Sequence, residues 1–336
     1  MLPWLTRPAL DLDLAKPIAD QPFPHDAVQT SQRLLSSIKA MLPSAAHILA
    51  DLARLRTWNR FHAETVGVAK LAGAGWRDVM LANLSYDLVI ASLGCSTIAL
   101  PTKDGPVLAR NMDWSPADLL AQASYLLRYH HNGEPRFVNA GWPGSVGVVT
   151  GMSQRGFAFA LNAVIGPEKT AKTGYPVLLH LRRVLEDARN FDDALAMLRD
   201  QCITSPAMFT LVGTENHQRV VIERSPTRHA LRYATDGEPL ITTNDYRVMF
   251  KESDGKPNVP GTKFYQTTCY RYDALCRFFQ QWTPDQIADD AKLLFILSDS
   301  QVIQDITAQH VIFRPRTQEA GLWVPRRLVD GQQMGS

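Results

Sequence analysis

Residues 93–114 read LGCSTIALPTKDGPVLARNMDW. Cys95 opens a run, CSTIAL, of small, β-branched and apolar residues; Thr102-Lys103-Asp104-Gly105 follows, and PVLARNMDW returns. Apolar runs bounded by Gly, Pro and Asp predict two strands of an antiparallel hairpin. The first strand carries readable chemistry. A cysteine at a strand start, just after the flexible Gly94, is placed to attack the preceding carbonyl, take the acyl group onto sulfur and be freed by hydrolysis. The product holds its own base, because a new α-amine has an ordinary pKa of ~8 and a thiol ~8.5. Arg110 beside the sulfur favours thiolate, and Asp113 is suited to orient the amine. Taken alone, the same residues fit equally a small buried cysteine next to a local Arg110–Asp113 ion pair.

Upstream, residues 1–24 hold several prolines and little periodicity, which predicts an extended arm rather than a core element. Val28, Leu34, Leu35, Ile38 and Leu42 then recur at near-helical spacing. After Pro43-Ser44 a second helix carries Ile48, Leu52, Leu55 and Trp58 on one side, with Arg54, Arg56 and Arg60 on its other faces. Packing of that stripe on the core is favoured over an apolar entrance or a lipid-touching surface. A third helix over about Trp76 to Ile90 follows Gly73-Ala74-Gly75. The first ninety residues are thus mostly helical, and the texture changes at Cys95.

Downstream, strand-like runs occur at Val146–Thr150, Phe157–Leu161, Met208–Val212, Arg219–Glu223 and Leu240–Thr243. Helices are predicted over Val177–Arg189, Asp192–Asp200 and Arg271–Gln281, and a last hairpin pairs HVIFRP with LWVP. Helices, strands, helices and strands, with hairpins at both ends, favour an α+β layered fold over a parallel doubly wound sheet. The 336 residues are 45% hydrophobic and 20% charged with a formal charge of +2, and basic residues are scattered, so no nucleic-acid partner is expected. The start lacks a secretory pattern and no run approaches ~20 apolar residues, which predicts a soluble, cytoplasmic chain touching membranes at most peripherally. Cys95, Cys202, Cys269 and Cys276 show neither zinc spacing nor disulfide density, and no metal or organic cofactor is expected. Pro143-Gly144-Ser145-Val146-Gly147 lacks the first glycine of a nucleophile elbow and reads as a tight turn. The adjacent His130 and His131 point different ways and make no metal site. Asn83-Leu84-Ser85 fits a glycosylation sequon but falls within a helix.

GWRDVMLANLSYDLVIASLGCSTIAL (75–100), with the later ARNMDW, resembles acid ceramidase and N-acylethanolamine acid amidase, which are N-terminal nucleophile hydrolases related to the choloylglycine hydrolase and penicillin V acylase family. Asn83, Tyr86, Cys95 and Arg110 to Asp113 match in order. Phe159-Ala160-Leu161-Asn162 is similar to that family's Ser-Leu-Asn strand, VLEDARNFDDALAML to its next helices, and Ile241-Thr242-Thr243-Asn244-Asp245-Tyr246 to its Thr-Asn-Tyr-Asp segment. The likeness runs from about Trp76 to Val324.

The resemblance implies a four-layer αββα sandwich of antiparallel sheets. Residues 1–94 would form a helical pro-segment that remains bound as the small subunit after cleavage between Gly94 and Cys95, and residues 95–336 the catalytic subunit. It implies Cys95 as nucleophile, Arg110 and Asp113 as its electrostatic supports, Asn244 as side-chain oxyanion donor and Arg271 as a second site arginine. By themselves, Asn244 reads as a turn cap and Arg271 as a solvated helix residue. The family's glutamate after Leu-Asn is replaced by Ala163, whose backbone N–H remains a candidate oxyanion donor. The hairpin is also about one residue shorter than in the mammalian enzymes; placed in the turn this leaves Arg110 facing Cys95, whereas placed in a strand it turns Arg110 away. The expected reaction is hydrolysis of a linear N-acyl amide, with a fatty acyl chain, through a thioester. Conjugated bile acid or penicillin V hydrolysis, acyl transfer to an amine, and an uncleaved binding protein are the alternatives.

Overall fold

The computed structural model describes residues 2–41, 46–89, 94–168, 170–235, 237–250 and 263–330. Leu42, Pro43-Ser44, Ile90 and Leu93, used in the sequence reading, lie outside them. The N-terminal part runs β1 (Trp4–Thr6), β2 (Ala9–Asp13), α1 (His25–Met41), α2 (His47–Arg56), α3 (His62–Ala72), α4 (Trp76–Asn83) and α5 (Ser85–Val89). There follow β3 (Gly94–Leu100), β4 (Val107–Asp113), α6 (Ala117–Ala123), β5 (Tyr125–His131), β6 (Glu134–Gly141), β7 (Thr150–Ser153), β8 (Phe157–Asn162), α7 (Val177–Asp187) and α8 (Phe191–Asp200). The remainder is β9 (Ala207–Val212), β10 (Arg219–Arg224), β11 (His229–Tyr233), β12 (Leu240–Thr242), α9 (Lys263–Phe278), α10 (Asp290–Leu297), β13 (Thr307–Arg314) and β14 (Glu319–Pro325).

Two sheets result among the described residues, a six-stranded one in the order β1-β14-β13-β4-β3-β12 and an eight-stranded one in the order β11-β10-β9-β8-β7-β6-β5-β2. Alternation along β3 shows how they stack. Ala99 joins Leu108, Val138, Val212 and Phe313 in the core between the sheets, while Ile98 and Leu100 join Leu275 of α9 and Leu293 of α10 on the outer face. Beyond the eight-stranded sheet, Leu181 and Leu185 of α7 and Leu198 of α8 close another core. The layers are therefore α9/α10, six strands, eight strands and α7/α8: the αββα sandwich. Because β3 is covered on both faces, all of its residues are buried, Ser96 and Thr97 included.

The arm expected at residues 1–24 is a structural strap. β1 pairs antiparallel with β14 and β2 pairs parallel with β5, so the segment adds an edge strand to each sheet, with Trp4 and Leu12 buried. Strands this short, fixed by distant partners, leave no local periodicity to read. The stripe on α2 is the second correction. Ala50 and Ala53 make its buried face, whereas Ile48 is 64%, Leu55 59% and Trp58 89% exposed, with Leu52 also exposed. Small residues let α2 approach the core closely, and the large ones are turned outward. The third predicted helix is interrupted at Leu84, and the strand read at Val146–Thr150 begins at Thr150. No helix among the described residues is long and apolar enough to cross a membrane.

Candidate active site

The β3–β4 register fixes the site. Cys95 pairs with Met112 and Thr97 with Arg110, so Cys95, Thr97 and Arg110 share the face toward the eight-stranded sheet. The register runs without a shift along both strands, and in the turn the Gly105 N–H donates to the Thr102 carbonyl with Gly105 at φ +94°. Arg110 Nη2 donates to Cys95 Sγ at 2.7 Å, and its Nη1 donates to Thr150 Oγ1 at 2.8 Å. Ser96, Asn111 and Asp113 alternate to the other face, beneath α9 and α10.

Asn244 lies two residues beyond β12, whose Thr242 pairs with Thr97. Its Oδ1 accepts the Cys95 backbone N–H at 3.0 Å and Arg271 Nη2 at 2.7 Å, while Nδ2 donates to the Ala163 carbonyl at 2.8 Å. Arginine has no acceptor, so its contact sets the amide orientation, with oxygen toward Arg271 and the NH₂ group toward Ala163. Arg271, which a helix position alone suggests is solvated, is 1% exposed. It reaches down from α9 to donate to the Cys95 carbonyl at 2.5 Å and Ser96 Oγ at 2.9 Å, and stands 3.9 Å from Asp113 Oδ2. Thr307 Oγ1 donates to Asp113 Oδ1 at 2.6 Å, and Oδ2 has no hydrogen-bond partner among the described residues.

Burial pushes the Cys95 thiol above its ordinary range; Arg110 opposes this, the Asp113 charge adds to it, and the backbone N–H groups of Ala163 and Asp113 favour thiolate. Burial likewise raises the Asp113 carboxyl, against the pull of Arg271, Thr307 and Arg110. Burial lowers the Arg271 guanidinium, which Asp113 and Cys95 partly restore. Gly94, Cys95, Arg110, Asp113, Ala163, Asn244 and Arg271 are thus gathered around one strand end, in a nearly dry setting where such charges act strongly.

Sequence reasoning assigned no role to several neighbours. Asn162 accepts Thr97 Oγ1 at 2.7 Å and donates to the Thr242 and Thr243 carbonyls at 3.2 and 3.0 Å, bolting the two sheets together beside Cys95. Its place in the Leu161-Asn162 match was the available signal. Buried His310 Nδ1 meets Asn111 Oδ1 at 2.7 Å, and burial takes its pKa down to about 3, so it is a neutral pin. No group of three His, Cys, Asp or Glu among the described residues is placed to hold a metal.

A void of about 10 Å³ lies against Cys95, Asp113, Tyr86, Ala163 and Trp114, which is room for about one water. Trp114 also borders an apolar cavity of about 270 Å³ between the N-terminal helices and the sandwich. Leu34 and Ile38 of α1 and Val79 of α4 face Trp142 and Leu178 across it. The predicted turn forms its rim, with the Ser145 N–H donating to the Trp142 carbonyl at 2.8 Å and Gly144 at φ +89°. Asn83 is buried rather than available to a glycan, and its Oδ1 accepts the N–H groups of Val146 and Gly147 at 2.9 and 2.7 Å.

A model of the acyl-coenzyme A:6-aminopenicillanic acid acyl-transferase family matches residues 100–286. The acid ceramidase of Balaenoptera acutorostrata scammoni is 25% identical over 204 residues, covering 52% of this chain and 50% of that protein. The acyl-coenzyme A:6-aminopenicillanic-acid-acyltransferase 40 kDa form of Emericella nidulans is 27% identical over 191 residues, covering 56% of this chain and 52% of that protein. The chain spans about half the length of these curated relatives. Among solved structures, the Caenorhabditis elegans ortholog of N-acylethanolamine-hydrolyzing acid amidase aligns with a TM-score of 0.53 at 17% identity, over 66% of this chain and 93% of that one. The chain has the αββα architecture of the N-terminal nucleophile hydrolases, is similar to acid ceramidase over about half its length, and belongs to the acyl-coenzyme A:6-aminopenicillanic acid acyl-transferase family.

Proposed function

We propose that the protein is a self-processing cysteine amidohydrolase that cleaves linear N-acyl amides with a fatty acyl chain. The observation that carries this reading is that both reacting atoms of Cys95 already have a partner, Arg110 Nη2 at 2.7 Å from sulfur and Asn244 Oδ1 at 3.0 Å from nitrogen. In processing, Sγ adds to the Gly94 carbonyl, the thiol proton passes to the departing nitrogen, and the C–N bond breaks to leave a thioester and a free α-amine. Water then releases the Gly94 carboxylate. In turnover that amine takes the thiol proton and delivers it to the leaving amine of the substrate, and water cleaves the acyl thioester. Arg110 stabilises the thiolate, Asp113 holds the amine, and Asn244 Nδ2 with the Ala163 N–H stabilises the oxyanion.

The fatty-acyl assignment is supported by the apolar cavity, which shares Trp114 with the void at Cys95. Residues 1–94 supply half of its walls and remain bound after cleavage as the small subunit, with Glu64 3.2 Å from the buried Arg182. The exposed stripe on α2 provides peripheral contact with lipid aggregates. Rapid quench with a fluorogenic N-dodecanoyl amide tests the reading: the 95–336 fragment gains the mass of one dodecanoyl group less one hydrogen, and Cys95→Ala gains none. Acyl transfer to an amine is the second reading, favoured by the matching family's description and the Emericella nidulans relative. Product analysis with and without an added amine acceptor separates transfer from hydrolysis.

A further inference from the structure

Glu223 on β10 is fully buried, yet its nearest cation, Arg232 Nε, stands 3.8 Å away. Three consecutive backbone N–H groups satisfy it instead. Oε1 accepts from Arg247 at 2.9 Å and Val248 at 3.3 Å, and Oε2 from Val248 at 3.0 Å and Met249 at 2.8 Å. Burying a carboxylate costs several kcal/mol unless it is fully hydrogen-bonded. Three successive N–H groups converge on one carboxylate only where the chain bends around it.

That bend starts three residues after Asn244. Val248 is 43% exposed, so the segment reaches the surface, and Glu223 is the buried acceptor on which its N–H groups converge. Glu223 therefore selects one shape. The eight-stranded sheet holds the segment on its other side too: Arg232 Nη2 donates to the Ile241 carbonyl at 2.8 Å, and Tyr246 OH to the Arg224 carbonyl at 2.6 Å. Asn244 belongs by chain to the six-stranded sheet, but its amide meets Ala163, which follows a strand of the other sheet. The distance between donor and reacting carbonyl is thus set across the two sheets.

We propose that Glu223 is a positioning residue, which fixes the turn at residues 247–249 and thereby aims the Asn244 amide at the reacting carbonyl. The inference rests on the reading of Asn244 as an oxyanion donor. Glu223→Gln keeps the volume but turns an NH₂ group toward backbone donors. Misplacement of a catalytic group by ~1 Å is worth ~10²-fold in rate, so kcat for the N-dodecanoyl amide should fall ~10–100-fold with KM within about twofold. The decisive measurement is a double-mutant cycle with Asn244→Ala, with thermal melts confirming that each protein is folded. In the Asn244→Ala background, Glu223→Gln should cost less than about twofold further, because the group it aims is gone. An equal loss in both backgrounds, or no loss in the wild-type background, overturns the positioning role while leaving Asn244 as donor. If Asn244→Ala alone has no effect, the donor reading fails and the positioning role with it. Should Glu223→Gln not fold, the same cycle is run on Glu223→Asp, which keeps the charge but withdraws it by one methylene.

Discussion

Arg110 Nη2 sits 2.7 Å from Cys95 Sγ, although fifteen positions and a turn separate the two residues. The contact follows from the pairing of Thr97 with Arg110 and Cys95 with Met112, which places guanidinium and thiol on one face. Burial raises the thiol and Arg110 is the first influence that opposes it. Arg110→Met should therefore move the thiol titration to higher pH and lower the rate at every pH beneath it. We expect a loss of ~10²-fold, at the lower end of the general acid–base contributions that thiol activation serves. Alkylation of Cys95 by iodoacetamide, followed against pH, checks the shift directly.

Asn244→Ala should lower kcat by ~10²–10³-fold with little change in KM, as deletion of a single oxyanion donor does elsewhere. Steady-state kinetics on processed protein measures this. A loss below about tenfold in a folded, processed variant rejects the donor role.

Asp113 carries opposite consequences for stability and activity. Its carboxyl is raised by burial, so the native state binds the proton more tightly than the unfolded chain does, and stability falls as pH rises from the unfolded pKa through the folded one. Asp113→Asn should accordingly raise the melting temperature at neutral pH relative to wild type. It should also impair both processing and turnover, since the charge that orients the amine is gone. In the wild type, activity should fade on acidification through the raised Asp113 pKa, above the ordinary carboxylate range. Melting curves and rate profiles over the same pH series test both signs.

The apolar cavity predicts a chain-length profile. Each buried methylene contributes ~0.8 kcal/mol, about fourfold, so kcat/KM should climb through a series of N-acyl amides and level off when the cavity is full. Ala82 lines the cavity, and Ala82→Phe should move the plateau to shorter chains. The series is run below micelle formation, with penicillin V and glycine-conjugated bile acid as competitors. A flat profile, or faster turnover of a competitor, assigns the substrate to the acylase branch and leaves the Cys95 chemistry in place.

The hairpin from Cys95 to Trp114 was readable because its apolar runs, Ile98 to Leu100 and Val107 to Ala109, flank a Gly-containing turn, while the polar residues beyond them are buried at the site. Helix α8 was readable for a different reason, since it buries one face through Phe191, Ala194 and Leu198. Residues 4–13 were not, because their strand character comes from β14 and β5. On α2 the large apolar residues suggested the buried side, but burial follows close approach, and Ala50 and Ala53 permit that. Glu223 left no local signature at all, as its partners lie about 25 positions away, and Asn162 showed only through its place in the family match. Arg271 became distinguishable from a surface arginine only through its match to a second arginine in the related enzymes.

Cleavage of the Gly94–Cys95 bond is tested most directly by intact mass spectrometry of denatured protein after incubation from mildly acidic to neutral pH. The account predicts two fragments, one ending at Gly94 and one beginning at Cys95, and a single uncut chain for Cys95→Ala. Cys202, Cys269 and Cys276 should be individually dispensable for processing. A wild-type chain that stays whole across the pH range, or a Cys95→Ala chain cut at the same bond, would contradict it.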